Sequence, residues 1–425
     1  MEHALLSELE HALSVPIEDV LNPDNVPPTS KREAPRRRVN SVYFGGGTPS
    51  LARPTMISSI LELIASKCNV SPMMEVTLEG NPTSSEMARL RDFRAAGINR
   101  MSLGIQALDN NDLRFFGRDH SVLEGISAAR SAIELFDAVS LDFIWGRPRQ
   151  SIQAWEEELR IAAALNPTHL SLYHLTVERG TPLFDFAKSG SVSLPNDDVS
   201  GEMYERTVEV AEKNGYIQYE VSSFARNGNL SNRSRHNLSY WTGMDYIGIG
   251  PGAHGRMYGA HDMQRFRTFR ILDPNTWMKQ CEEIGHGMRK VVPMPYQQTL
   301  QELIVLGLRT TDGVDFRNLS MHMKKHVDHI IEILDFARAQ DFVDAGLLEW
   351  IDGQVISIGG GRCVGGIRPT RKGLAVADGL ELAFRNIRQR EHVVRDLMRE
   401  EEKSVAECEK VRAQEEDKDV QTQYT

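Results

Sequence analysis

Hydrophobic and polar positions follow two alternating spacings through the first half of the chain. Short apolar runs typical of strands are separated by segments in which apolar residues recur every three or four positions, as on one face of a helix. The predicted strands are 39–44, 74–78, 100–105, 138–145, 169–177 and 216–224. Strands joined by helices at this spacing pair in parallel with right-handed crossovers. We therefore expect an α/β fold in the form of an open or closed β/α barrel.

The pattern begins with a helix rather than a strand. Residues 3–13 place Leu5, Leu6, Leu9 and Leu13 on one helical face, and no strand pattern precedes them. A β/α unit that starts with its helix predicts a barrel without its first strand.

A different pattern follows Gly255. Segments 297–309 and 318–342 are predicted to be helical, and 347–358 is predicted to be a hairpin turning at Asp352-Gly353. Helices followed by a hairpin predict a small winged-helix-like domain. The glycine-rich stretch 359–366 is expected to be a flexible insertion, and the segment from about residue 391 a charged tail, helical or disordered.

Composition and charge exclude some classes of protein. The chain has 425 residues, 40% hydrophobic content and a net charge of -10, which gives no general attraction to nucleic acid or anionic lipid. A proline-rich basic stretch within 24–39 is expected to be a solvated loop insertion, with nuclear import or RNA contact as the alternative. No apolar run approaches the roughly 20 residues of a membrane span, and no targeting presequence is recognisable.

The cysteines carry no metal-binding spacing. Cys68, Cys281, Cys363 and Cys408 are far apart in the sequence, which predicts neither a disulfide framework nor a metal motif. A reducing compartment fits this usage.

Candidate chemistry falls at the ends of the predicted strands. A Gly45-Gly46-Gly47-Thr48-Pro49 turn ends one strand, and Glu79, Gln106 and Asp142 end the next three. Ligands of β/α barrels bind where such strand ends converge. Bare glycine backbone could receive an ammonium or carboxylate group. Taken alone, the glycine turn is more often simple turn geometry.

Several of these segments together resemble the radical S-adenosylmethionine family. Segment 44–50 resembles its glycine motif, and 141–146 resembles its strand-end aspartate motif. Segments 218–225, 234–241, 248–255 and 306–314 resemble blocks of HemW-type haem chaperones and oxygen-independent coproporphyrinogen III oxidases. The resemblance covers residues 1–385 apart from the basic loop and the glycine-rich insertion.

The resemblance implies a domain organisation and a cofactor pocket. It implies a partial (β/α)6-type radical SAM barrel over 1–260, without its first strand and cluster loop, a C-terminal domain over 261–385 and a tail over 386–425. The implied S-adenosylmethionine contacts are Gly46, Gly47, Thr48, Glu79, Gln106, Arg118 and Asp142. A sulfonium and an ammonium cation both favour acidic partners such as Glu79 and Asp142.

Two further features of the resemblance concern haem and the pocket mouth. His236, Tyr240 and Trp241 lie in a block proposed to contact haem in HemW-type proteins. Arg147 and Arg149 replace an apolar residue and a glycine that are more usual in the family, which we expect to alter the mouth of the pocket.

The family's four-iron four-sulfur cluster is held by a C-x-x-x-C-x-x-C loop, which this sequence does not contain. We therefore expect weak S-adenosylmethionine binding and neither a cluster nor catalysis in the chain as given. Three functions stay open: a haem chaperone that delivers haem to acceptor proteins, a coproporphyrinogen III oxidase-like enzyme of porphyrin biosynthesis, and a non-catalytic relic. By resemblance, a eukaryotic member is expected in mitochondria, with the cytoplasm as the alternative. The sequence does not identify the haem acceptor or the oligomeric state.

Overall fold

A curved, mostly parallel sheet of seven strands organises the first half of the protein. The computed structural model describes residues 1–17, 20, 36–259, 264–323, 335–358 and 362–380. The strands of this sheet are β1 (Arg38–Phe44), β2 (Asn69–Gly80), β3 (Arg100–Gln106), β4 (Ala138–Trp145), β5 (His169–His174), β6 (Tyr216–Glu220) and β7 (Ser223–Arg226). Their order is β1-β2-β3-β4-β5-β7-β6, and β1 to β5 run parallel to one another. The predicted α/β barrel architecture is confirmed.

The prediction of a single strand over 216–224 is wrong. The segment forms an antiparallel hairpin, and β7 also pairs antiparallel with β5. The Glu220 side chain accepts hydrogen bonds from the Ser222 amide at 3.0 Å and from the Ser223 hydroxyl at 2.9 Å. These local bonds stabilise a turn at 221–222, which ends β6 before the chain can continue as one strand.

Helices connect the strands. They are α1 (Glu2–Ser14), α2 (Pro54–Lys67), α3 (Ser84–Met87), α4 (Leu90–Ala95), α5 (Asn110–Phe115), α6 (Val122–Leu135), α7 (Ile152–Ala164), α8 (Pro182–Lys188), α9 (Asp197–Lys213) and α10 (Arg235–Trp241). The core between sheet and helices contains alternate residues of the central strands, such as Leu103, Leu141 and Phe143, all fully buried. Because side chains alternate across a sheet, the intervening residues of the same strands face the opposite side.

The first helix, α1, packs against the edge of the sheet and the region that follows it. Its Leu9 joins an apolar cluster with Ile60 and Ile64 of α2. Its Glu8 is fully buried and accepts hydrogen bonds from the amides of Gly250 and Gly287 and from the Trp277 indole. Within the described residues, β1 pairs with β2 alone.

The second half of the chain adds two antiparallel sheets. The first, which the sequence pattern did not reveal, contains β8 (His254–Tyr258), β9 (Arg265–Arg270) and β10 (Met288–Pro293). The second contains β11 (Val314–Asp315), β12 (Leu348–Ile358) and β13 (Arg362–Pro369). Helices α11 (Pro274–Ile284), α12 (Tyr296–Gly307), α13 (Phe316–Met323), α14 (Phe336–Asp344), α15 (Arg371–Ala375) and α16 (Ala377–Leu380) complete this half. The proposed domain boundary at residue 260 stays a prediction, and β8 and β9 pair across it.

The turn predicted at Asp352-Gly353 within 347–358 is wrong. Asp352 lies inside β12, at an irregularity of the pairing with β13, and the two strands are joined beyond Ile358. Gly365 and Gly366, expected in a flexible insertion, belong to β13. A β-carbon on Gly366 would lie 2.3 Å from the Val314 carbonyl oxygen, so close backbone packing requires glycine there. Residues 359–361 of that insertion, most of the 24–39 loop, the middle of the predicted 318–342 helix and the tail lie outside the described residues.

Candidate functional site

A polar cavity of about 390 Å³ opens near the carboxyl ends of the parallel strands. Its size falls in the usual range of small-molecule sites, roughly 300–1,000 Å³. The cavity is lined by Tyr43, Thr77, Glu79, Arg100, Ser102, Gln106, Ser140, Asp142, Ile144, Ser171, Tyr173, His174, Leu175, Thr176, Ser234 and Asn237.

Strand alternation brings these side chains together. In β4, Ser140, Asp142 and Ile144 are two residues apart and face the cavity, while Leu141 and Phe143 face the core. The parallel register then places Asp142 beside Ser171 of β5. The cavity is thus the polar face of a sheet whose other face is apolar.

Asp142 is the most strongly perturbed acid of the cavity. Its Oδ2 accepts a hydrogen bond from the Ser102 hydroxyl at 2.8 Å, but its buried Oδ1 has no hydrogen bond of normal geometry. Burial, together with the smaller effect of the nearby Glu79 carboxylate, raises the pKa of Asp142 to about 6, while Ser171, Ser102 and Arg100 partly oppose the shift. A buried carboxylate with an unused oxygen is suited to receive a cationic group.

Glu79 is held by the glycine turn and by a tyrosine. The Tyr43 hydroxyl donates to Glu79 Oε1 at 2.5 Å, and the Gly46 amide donates to Oε2 at 3.2 Å. A β-carbon on Gly45 would lie 2.6 Å from the Tyr43 ring and 3.1 Å from Glu79 Oε2. Glycine at position 45 therefore permits the close approach of these two side chains.

A buried cation lies beneath the two acids. Arg100 is 1% exposed and donates to the Ser140 hydroxyl at 3.0 Å, to the Asn232 carbonyl at 3.2 Å and to Glu75 at 3.4 Å. Since Arg100 has its own carboxylate partner in Glu75, it neutralises only part of the cavity's negative charge.

Gln106 reaches the cavity through an unusual backbone conformation. Its φ of +67° is uncommon for a residue with a side chain and coincides with a register shift at the end of β3. The amide side chain folds back over Gly104, where a β-carbon would lie 2.6 Å from Gln106 Nε2.

Four of the residues implied by the resemblance do not line the cavity. The Gly46 amide donates a hydrogen bond to Glu79, which does line the cavity. Gly47 and Thr48 follow in the same turn and are exposed. Arg118 donates to the Asn81 side chain at 3.3 Å, just beyond the end of β2. Glu79, Gln106 and Asp142 do line it together.

The expectation that Arg147 and Arg149 alter the cavity mouth stays a prediction. Neither side chain lines the cavity, but Arg147 donates a hydrogen bond at 3.4 Å to the backbone carbonyl of Gln106, which does. Arg147 is buried and forms ion pairs with Glu158 and Asp112. Arg149 is exposed and has a φ of +61°, a conformation that glycine adopts more readily.

The implied haem residues lie on α10, next to the cavity. Ser234 caps this helix by accepting from the Asn237 amide at 3.3 Å. Glu75 accepts from the amides of Arg235 and His236 at 3.2 and 3.0 Å, and so fixes the helix against β2. The first turn of α10 also contributes Ser234 and Asn237 to the cavity lining.

Aromatic rings surround His236. The Tyr43 ring stacks on the imidazole with centroids 4.3 Å apart and an interplanar angle of 14°. Tyr240 meets it edge-on at 4.8 Å and packs in turn against Tyr246 at 4.5 Å. Among the described residues, neither ring nitrogen of His236 has a hydrogen-bond partner. Burial lowers the pKa of His236 to about 4, so the imidazole is neutral at pH 7.

Trp241 points to a different neighbour. The Arg309 guanidinium lies 4.8 Å from its ring centroid, and its buried indole nitrogen has no hydrogen-bond partner in the described part of the chain. The structure therefore brings His236 and Tyr240 together, while Trp241 packs beside Arg309.

The cavity fits a cation such as S-adenosylmethionine. It offers two carboxylates, one with an unused oxygen, beside exposed glycine backbone. The two cysteines whose side chains the structure describes do not fit an iron–sulfur cluster. Cys68 and Cys281 are buried in separate apolar clusters, and the described residues contain no group of three side chains able to hold a metal ion.

Sequence reasoning missed most of the polar lining. Tyr43, Ser102, Ser140, Ser171 and Tyr173 follow the period-two alternation within apolar strands, and that alternation was the available signal. Arg100 gave no such signal, because a basic residue at the start of a strand normally faces solvent.

Comparisons with known proteins identify the family. The radical SAM superfamily profile matches residues 18–162. The heme chaperone HemW of Buchnera aphidicola is 36% identical over 262 residues, which cover 61% of this chain and 68% of that protein. The chain belongs to the radical SAM superfamily.

Relatives within the superfamily come from animals as well as bacteria. The Danio rerio protein named radical S-adenosyl methionine domain-containing protein 1, mitochondrial, is 44% identical over 280 residues, 65% of this chain. The chain spans 62% of that relative's length. The solved structure of coproporphyrinogen III oxidase (HemN) from Escherichia coli matches the fold with a TM-score of 0.65 and 19% identity, over 90% of this chain and 81% of that one. None of the helices in the described ranges is long and apolar enough to span a membrane.

Proposed function

We propose that this protein is a HemW-like haem chaperone, which binds haem at His236 and S-adenosylmethionine in the adjacent cavity. It would deliver haem to acceptor proteins. The observation that carries this proposal is a neutral imidazole directly beside an acidic cavity. The ring is enclosed by aromatic side chains, and neither of its nitrogens has a hydrogen-bond partner in the part of the chain that the structure describes.

The chemistry of α10 suits a porphyrin. Neutral imidazole is a common ligand of haem iron, and the flat rings of Tyr240 and Trp241 offer apolar faces to a macrocycle. The name of the Buchnera relative and the match to a porphyrinogen oxidase fold support the same class of ligand.

The cavity would receive the amino acid part of S-adenosylmethionine. Glu79 and Asp142 would accept hydrogen bonds from the ammonium and attract the sulfonium, and Gln106 and the backbone of Gly46 and Gly47 would contact the rest. Thr48 and Arg118 would complete the mouth. We propose weak binding, because the chain as given supplies no cluster iron to hold the methionine group.

Haem binding is tested by spectroscopy on purified protein titrated with haemin. His236→Ala should shift or abolish the Soret band and weaken binding, whereas the matched variant His254→Ala, at an exposed position on β8, should behave as wild type. A Soret band unchanged in His236→Ala would rule out this site. Turnover of coproporphyrinogen III by the same sample would instead indicate a coproporphyrinogen III oxidase-like enzyme.

S-adenosylmethionine binding is tested by calorimetry. Loss of one charge-assisted hydrogen bond costs about 1.5–3 kcal/mol, so Asp142→Ala should weaken binding about 10- to 100-fold. Asp137→Ala, at an exposed side chain outside the cavity, should leave the affinity unchanged. Equal affinities in the two variants would exclude the proposed pocket.

Localisation is part of the proposal. The vertebrate relatives carry the word mitochondrial in their names, and we propose the same compartment here, with the cytoplasm as the alternative. Fractionation of cells that produce the protein from its own gene distinguishes the two.

A further inference from the structure

Tyr43 touches both proposed ligand sites at once. Its hydroxyl donates to Glu79 in the cavity at 2.5 Å, and its ring stacks on His236 at 4.3 Å. Its side chain thus forms a two-contact path between the carboxylate proposed to receive an ammonium group and the imidazole proposed to bind iron.

We propose that Tyr43 is a positioning residue that couples the two sites, so that a cation bound at Glu79 changes the setting of the His236 ring and hence the affinity for haem. This inference rests on the proposed function for the identity of the ligands. Its structural basis is independent of them.

The geometry leaves Tyr43 little freedom to move without affecting both partners. An ammonium group at Glu79 competes for the oxygen that now accepts the Tyr43 hydroxyl bond. The Gly46 amide donates to the other oxygen of the carboxylate. An ammonium group on Oε1 is therefore expected to weaken the hydrogen bond from the Tyr43 hydroxyl. A tyrosine ring that loses its hydroxyl anchor can turn, and the imidazole stacked on it then turns or loses its contact.

The backbone of α10, which carries His236, is fixed against β2. Glu75 holds the amides of Arg235 and His236, so the backbone of α10 is fixed while the His236 side chain is free of hydrogen bonds in the described residues. A displacement of Tyr43 is therefore expected to move the imidazole rather than the helix.

Linkage makes the effect reciprocal. If S-adenosylmethionine changes the affinity for haemin by some factor, haemin changes the affinity for S-adenosylmethionine by the same factor. We expect a factor of at least about fivefold, the lower end of typical coupling between sites.

The test compares wild type with Tyr43→Phe, which keeps the stacked ring and removes the hydroxyl. Haemin affinity is measured by Soret titration with and without saturating S-adenosylmethionine. Tyr216→Phe is the matched control, because it removes a buried tyrosine hydroxyl bonded to the Pro167 carbonyl at 2.8 Å, away from the cavity. The coupling should vanish in Tyr43→Phe and persist in Tyr216→Phe.

A ligand-free measurement separates this inference from the proposed function. The ring-proton NMR signals of His236, assigned by their loss in His236→Ala, should shift in Glu79→Gln. The same Glu79→Gln change made in a Tyr43→Phe background should leave them in place.

Each outcome has one meaning. Haemin and S-adenosylmethionine affinities that are independent within twofold in wild type, or coupling retained in Tyr43→Phe, would overturn the inference while the proposed function stands. Absence of haem binding would overturn the proposed function, and the NMR comparison would still decide the role of Tyr43. His236 signals that ignore Glu79→Gln would then refute the coupling.

Discussion

Asp142 shows how one residue carries a conflict between stability and binding. It lies in a strand whose neighbouring residues are core side chains, yet it points into a cavity where Ser102 is its one normal hydrogen-bond donor. Burial of its charge is unfavourable without a cationic partner. The same unfavourable charge becomes useful when a cation enters, because the ligand supplies the missing partner.

The raised pKa of Asp142 predicts a pH-dependent stability. The folded pKa is about 6 and the ordinary value is 3.8, so between these values the folded state binds more protons than the unfolded state. Stability therefore falls as the pH rises through this window. Asp142→Asn removes the charge, and we expect its free energy of unfolding at pH 8 to exceed that of wild type by about 1–2 kcal/mol.

Urea unfolding at pH 4 and pH 8 measures this difference. The advantage of Asp142→Asn should largely disappear at pH 4, where Asp142 is protonated in the folded state, and Asp137→Asn should show no comparable change. A difference that does not depend on pH would contradict the assigned environment of Asp142.

At the scale of elements, α1 depends on one buried carboxylate. Besides its three hydrogen bonds, Glu8 lies 3.3 Å from the Arg270 guanidinium, whose side chain is 2% exposed. These contacts connect the first helix to β9, α11 and the Gly250 loop. A buried ion pair adds little by itself, but removal of one partner leaves the other charge uncompensated.

We predict that Glu8→Ala lowers the free energy of unfolding by about 3–5 kcal/mol, because Arg270, two amides and the Trp277 indole all lose their partner. The matched variant is Glu10→Ala on the same helix, where a solvent-exposed pair with Lys67 is lost at a cost below about 1 kcal/mol. Chemical denaturation followed by circular dichroism gives both values.

If Glu8→Ala does not yield folded protein, Glu8→Gln supplies the comparison, since it keeps the size of the side chain and one acceptor oxygen. It removes the charge and replaces the second acceptor with an N–H donor. Equal stability of the Glu8 and Glu10 variants would show that α1 is not held in this way.

At the scale of the whole molecule, a radical SAM fold is combined with two cysteines, Cys68 and Cys281, that are unsuited to bind a cluster. Thiolate is the form that binds iron, and burial raises the pKa of Cys281 to about 12 and also raises the pKa of Cys68. The two thiols lie in different apolar clusters, one beside α2 and one on α11.

We predict that the chain as given, reconstituted anaerobically with iron and sulfide, holds no stoichiometric four-iron four-sulfur cluster and releases no 5′-deoxyadenosine. Metal analysis and electron paramagnetic resonance measure this, with a radical SAM protein that contains C-x-x-x-C-x-x-C treated in parallel. Stoichiometric cluster with S-adenosylmethionine cleavage would refute the prediction.

The sequence by itself determined the layered architecture and the acids at the strand ends. Leu141 and Phe143 alternate with Ser140 and Asp142 in one strand, and this period of two specifies which side is core and which side is polar. Such patterns are local, because each depends on neighbouring residues along one element.

Tertiary structure alone decided which polar groups meet. Tyr43, Glu79 and His236 come from three distant segments. The first two meet because β1 pairs with β2, and His236 joins them because α10 packs on the sheet. Local hydrogen bonds of Glu220 split a predicted strand, and the carboxylates of Glu158 and Asp112 hold the Arg147 side chain in buried ion pairs. Contacts between side chains far apart in the chain are selected by packing and charge compensation in the folded state, which no local periodicity encodes.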